Sequence, residues 1–276
     1  TDIRRYGYIG GQRFLRTGSV FLDPTPCGFF LVLPFAAAVE RRLRAGLRNG
    51  GGALLLLIGV ALLLTQTRAA LVAGLVVAFL AVRPAAGRTQ NRRLQFALLC
   101  AAGVVVLLPT ATASGLSQRV TTTASSQDQS SSDHVRSFWN GVHAVGAEPI
   151  GHGLGTSAGV GQRFAEGSAT VPENSYLQVG IETGVLGMAV FIALTVVVLR
   201  RLTHAAGTVT DVGISVARTA GVGLAIGACL LPAWNEFAVA WPFWGLAGAA
   251  IGLAERRAGI RAHSAPSTAR ETSASS

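Results

Sequence analysis

Residues 171–188 read VPENSYLQVGIETGVLGM. The first half carries Glu173, Asn174, Tyr176 and Gln178, which are hydrogen-bonding groups. The second half carries Gly184 and Gly187, three apart, where a helix lets another backbone come close. The stretch ends a long polar segment and begins an apolar one. It therefore joins water-facing chemistry to a membrane helix.

The composition on either side agrees. The chain has 276 residues, 50% hydrophobic and 13% charged, with a mean hydropathy of +0.47. Soluble domains carry about a quarter charged residues. The formal net charge is +10, and every basic residue is arginine rather than lysine. Most of these arginines flank apolar runs, as topology signals do. No aromatic–basic interleaving suggests base stacking, so nucleic acid is not an expected partner. Cys27, Cys100 and Cys229 lie in or beside apolar runs without ligand spacing and read as small core residues. The start at Thr1 is read as a piece of a longer protein.

The first apolar run covers 28–39, reaches membrane length with 20–27, and is followed by Arg41, Arg42, Arg44 and Arg48. Residues 51–82 are apolar except for Thr65-Gln66-Thr67-Arg68. One straight helix over them would measure about 48 Å, against a hydrocarbon core of about 30 Å. Two short arms with a recessed tip fit better, and a charge held there is a functional candidate. Arg83, Arg88, Arg92 and Arg93 precede a fourth run over 94–108. Further runs cover 176–199, 212–230 and 238–254, with Arg200, Arg201, Arg256 and Arg257 after the first and last.

The positive-inside rule orders these runs consistently. The predicted fold is an all-α polytopic membrane protein, with about seven transmembrane helices and one long extracytoplasmic loop. The membrane domain is 1–254, and its loop, 110–173, lies between spans four and five. A cytoplasmic, disordered tail occupies 255–276. The Ser/Thr/Gln-rich 121–132 reads as a mobile linker. The N-terminus and the loop lie outside.

On that outer side stand Arg4, Arg5, Arg13, Arg16, Arg68, Arg136, Arg163, Glu173, Asn235 and Glu236. Several cations with one or two carboxylates at a membrane surface suit an anionic lipid, because arginine matches phosphate oxygens with a planar fork of donors. A carboxylate can take the proton of an attacking hydroxyl. His134, His143 and His152 are spaced by nine and make no compact metal pattern, so no metal or other cofactor is expected. Gly151-His-Gly-Leu-Gly155 reads as a tight turn after Pro149, Phe138 and Trp139 as packing residues, and Trp234, Trp241 and Trp244 as an interfacial belt.

Several segments together resemble the O-antigen ligase and O-antigen polymerase superfamily. They are Thr65-Gln66-Thr67-Arg68 between short arms, Arg136 and Trp139 before Pro149-Ile-Gly-His-Gly-Leu-Gly155, and Glu173-Asn174 followed by Gly184-Val-Leu-Gly187. RTGSVFLDPTPCGFF, from Arg16, is similar to the segment before an earlier family helix. The resemblance implies a metal-independent, inverting glycosyltransferase of the bacterial inner membrane. It takes glycan from an undecaprenyl-pyrophosphate-linked donor and passes it to a glycan or lipid–glycan acceptor.

By the same resemblance Arg68 and Arg136 contact the pyrophosphate or position the donor; Glu173 is the candidate base, and Asn174 and Tyr176 are read as substrate-binding residues that orient that site. Glu173 stands where many ligases carry histidine, which favours a polymerase or another transferase of the superfamily. Family members usually have ten or more spans, so spans before Thr1 are expected. Two alternatives are a flippase that moves the same lipid without cleaving it and a structural subunit. A carrier would place polar residues on broken helices near mid-membrane. Apart from Arg68, the chain is read as keeping its charges outside the spans.

Overall fold

The computed structural model describes residues 6–9, 12–15, 18–21, 23–45, 51–82, 129–157 and 172–264. Among them are seven α-helices: α1 Pro24–Ala45, α2 Gly51–Leu64, α3 Arg68–Val82, α4 Gln129–Ala147, α5 Ser175–Thr208, α6 Val212–Gly227 and α7 Phe237–Ser264. A small antiparallel hairpin, β1 Tyr6–Ile9 and β2 Gln12–Leu15, precedes them, and Tyr6 pairs with Leu15.

Local chemistry sets the helix ends. Asp23 accepts the Thr25 amide at 2.7 Å, and Pro24 takes the first helical position, where its missing N–H costs nothing. Helix α1 then runs past the expected 28–39 through Glu40, Arg41, Arg42 and Arg44. Arg44 donates to the Asp211 carbonyl at 3.1 Å and to Ser215 Oγ at 2.7 Å, which holds the extension in place. The apolar stretch 51–82 breaks as expected at Thr65–Thr67, where Gln66 takes φ 51°. Asn174 caps α5 and Asp211 caps α6, each accepting two amides.

Helices α3 and α6 pack at the centre. Gly223 allows this: a side chain there would lie 2.6 Å from the Ala73 carbonyl oxygen. Phe29, Val32, Val77, Ile214, Leu224 and Phe243 fill the core around them. The outward faces are also apolar. Leu56 and Leu57 on α2 and Leu186, Val190, Leu194 and Val197 on α5 are exposed. A face of this kind needs a non-aqueous surrounding. Two helices, Ser175–Thr208 and Phe237–Ile260, are long and apolar enough to cross a membrane, and Gly52–Leu64, Arg68–Val82 and Val212–Gly227 are shorter apolar helices. The fourth expected run, 94–108, lies outside the described residues.

The fifth run differs from the sequence reading. It is not one span beginning at Tyr176. Gly184 adopts φ 77° and ψ −179° and breaks α5. A continuous helix would set Tyr176 and Phe191 about 22 Å apart, yet their rings lie 6.0 Å apart. A Cβ on Gly180 would lie 3.5 Å from that of Met188. Residues 175–183 therefore fold over the end of the bundle, and only the limb after Gly184 runs down it. Two other expectations change. Residues 129–132 of the predicted linker belong to α4, and 255–264 of the predicted tail continue α7.

Candidate functional site

The bundle has two unlike ends. At one, Arg44 meets Glu40 at 3.9 Å, Arg201 meets Glu255 at 3.4 Å and Arg257 meets Asp211 at 3.1 Å. Arg218 donates to the Leu80 carbonyl there at 3.4 Å. Arg218 belongs to α6, within an expected span, and so corrects the reading that Arg68 alone breaks the rule on charges.

The other end gathers the residues singled out in the sequence. Thr65 and Thr67 are buried, and Thr67 Oγ1 donates to the Pro24 carbonyl at 3.1 Å, fixing the α2–α3 tip to the start of α1. Arg68 opens α3 with its side chain exposed. The turn before α7 is pinned to α5: the Trp234 amide donates to Ser175 Oγ at 3.0 Å, and Trp234 Nε1 donates to Tyr176 Oη at 3.2 Å. Tyr176 Oη in turn donates to the Ala225 carbonyl at 3.1 Å.

Asn174 is nearly buried and uses both ends of its amide. Its Oδ1 accepts from the Tyr176 and Leu177 amides at 2.9 and 3.1 Å, and its Nδ2 donates to the Cys229 carbonyl at 2.9 Å. Asn174 and Tyr176 thus spend their hydrogen bonds on the scaffold that carries Glu173. The half-buried Glu173 sits just before the α5 cap, where the helix dipole favours a carboxylate. Its amide donates to Ser137 Oγ of α4 at 3.1 Å. Arg136, next to Ser137, is exposed.

The glycine loop has a specific seat. Gly151 closes a turn on the Glu148 carbonyl at 2.9 Å, as expected of a tight turn. The loop also fills the break in α5. The Val185 amide donates to the Pro149 carbonyl at 3.0 Å, and the Ile181 and Glu182 carbonyls accept the His152 and Gly153 amides at 2.8 and 3.0 Å. Helical hydrogen bonds lost at Gly184 are thereby replaced by loop bonds. Ser157 Oγ donates to Glu182 Oε1 at 2.7 Å and adds a side-chain tie between the loop and α5.

A side chain on Gly184 would collide with the Pro149 carbonyl oxygen, and one on Gly151 would lie 2.5 Å from the Gly184 nitrogen. So Gly184 does admit another backbone, though it is the loop's. Gly187 instead makes room for the Thr183 side chain of its own helix.

Two carboxylates join this end that sequence reasoning did not bring together: Glu236, one of the outer-side polar residues, and Asp23, just before α1. Burial pushes the Glu236 carboxyl above its ordinary range, and the neighbouring Asp23 charge adds to the rise. Nothing in the local sequence pairs two residues so far apart. Phe138 and Trp139, expected to pack, are exposed and meet edge to face at 5.7 Å. Trp241 is exposed as a belt residue would be, but Trp234 is buried against Trp244 and Phe243.

A helical bundle with apolar outer faces, an arginine-rich end and a polar end bearing Arg68, Arg136 and Glu173 has the character of a membrane protein. The sequence matches the family described as O-antigen ligase over residues 53–192. No curated protein and no solved structure matches the chain. The matched segment spans half of the chain and contains Arg68, Arg136, Glu173 and the interlocked glycines, so the chain belongs to the O-antigen ligase family of membrane proteins.

Proposed function

We propose that the protein is a glycosyltransferase of the bacterial inner membrane that transfers or polymerises glycan from a polyprenyl-pyrophosphate-linked donor. The observation that supports this reading is that Arg68, Arg136 and Glu173 all belong to the bundle end remote from the Arg44, Arg201 and Arg257 ion pairs. By the positive-inside rule the arginine-rich end is cytoplasmic and the polar end extracytoplasmic. About seven spans cross the membrane in this reading.

In the reaction, Glu173 takes the proton of an acceptor hydroxyl, and that oxygen attacks the anomeric carbon. The bond from this carbon to the pyrophosphate oxygen breaks, and Arg68 and Arg136 neutralise the charge developing on the leaving pyrophosphate. Inversion follows from a single displacement. Asn174 and Tyr176 act by holding the start of α5, and no metal is needed.

The test supplies the full-length protein in liposomes with lipid-linked oligosaccharide and measures new glycosidic bonds. Glu173→Gln lowers turnover by about 10²–10⁴-fold, whereas Glu173→His retains a large part of it. Undiminished turnover in Glu173→Gln removes the base assignment. Glycan that crosses the bilayer without bond formation replaces the transferase reading with a flippase.

A further inference from the structure

We propose that the interlocked loop 149–155 is a lipid-facing element, with Ile150 and Leu154 set into the interfacial layer of the leaflet opposite the arginine-rich end. The inference rests on the membrane reading of α5 and goes beyond it. Ile150 and Leu154 are 91% and 82% exposed, although the backbone between them is fixed at His152 and Gly153. A rigid loop that presents two large aliphatic side chains outward has a partner for them. Leu186, Val190, Leu194 and Val197 are exposed as well, spaced by three or four residues along one face of α5, and that face begins two residues beyond the Gly184 corner in which the loop is seated.

Length decides the partner. From the Gly184 break to Arg200 the helix rises about 24 Å, less than a hydrocarbon core of about 30 Å. Tilt of the helix carries Gly184 deeper, whereas snorkelling at Arg200 lifts it toward the opposite interface, so the Gly184 corner lies at or just below the headgroup boundary. A second register agrees. Phe191 packs on Trp244 at 6.4 Å. Seven residues back along each helix lie Gly184 on α5 and Phe237 on α7. Phe237 and Trp241 are exposed and stack at 4.4 Å, as an interfacial belt does. The loop docked at Gly184 therefore shares the depth of that belt. Acyl chains near the headgroups are the occupant, and the loop forms the lipid-side wall beside the start of α5.

The experiment uses the full-length protein in nanodiscs, with Cys27, Cys100 and Cys229 replaced and single labels placed through Ile150→Cys, Leu154→Cys, Leu194→Cys and His143→Cys. Bimane emission is read with phospholipids carrying a nitroxide near the headgroup or deep in the chain. Labels at 150 and 154 should lose emission to the shallow nitroxide as strongly as the label at 194 does to the deep one. The label at 143, on the face of α4 away from α5, should be unchanged. Quenching at 194 but not at 150 or 154 means that the bilayer thins to meet the protein and the loop stands in water, which overturns the proposal alone. No quenching at 194 overturns the membrane reading of α5 with it.

Discussion

At the scale of single residues, Glu236 shows how tertiary structure changes a carboxylate. Burial and then the Asp23 charge both disfavour its ionised form, so the folded protein holds this proton more tightly than the unfolded chain. The resulting stability is full below the ordinary carboxylate range and is lost as pH rises through the raised value. Thermal unfolding in detergent at stepped pH should show this decline, and Glu236→Gln should remove that part of it. Gly184 is governed by backbone strain. Its φ 77°, ψ −179° conformation is essentially reserved for glycine. Gly184→Ala should cost about 1–3 kcal/mol, seen as a lower melting temperature. Amide exchange at His152 and Gly153 should rise with it, because the same substitution expels the Pro149 carbonyl.

At the scale of elements, the start of α5 is held by its cap and by the α6–α7 turn. Asn174→Ala removes the one oxygen that accepts the Tyr176 and Leu177 amides and the donor to the Cys229 carbonyl. A destabilisation at or above the usual 1 kcal/mol or so for a lost cap is expected in thermal unfolding. Asn174→Asp should recover the cap part only. Helix spacing made the α2–α3 hairpin legible, because its apolar stretch is too long for one span and contains a polar break. The break in α5 was not legible in the same way. Its residues are helix-compatible on both sides, Glu182 and Thr183 included, and an isolated glycine position inside a helix is usually tolerated. Only the arrival of residues 149–153 turned that glycine into a corner.

At the scale of the whole molecule, helix contact in lipid is driven by close packing rather than by release of water. Gly223 shows the principle, for it lets α6 approach the Ala73 carbonyl of α3. Gly223→Val forces that backbone apart and should destabilise the bundle by about 1–3 kcal/mol. Gly248 on α7 has open space around its Cα. Gly248→Ala should be neutral or stabilising by up to about 1 kcal/mol. Paired melting curves of the two variants in one detergent separate packing from helix propensity.

The amino-acid sequence by itself determined the helical class, the α2–α3 tip, the arginine-rich end and the family. These follow from hydropathy, charge placement and motif order, which are local or additive along the chain. Tertiary structure alone decided the fold-back of 175–183, the seating of the glycine loop in α5, the meeting of Asp23 with Glu236 and the structural duties of Asn174 and Tyr176. Each of these needs two segments distant in sequence to satisfy one set of backbone or side-chain groups. That requirement appears only when the chain is packed.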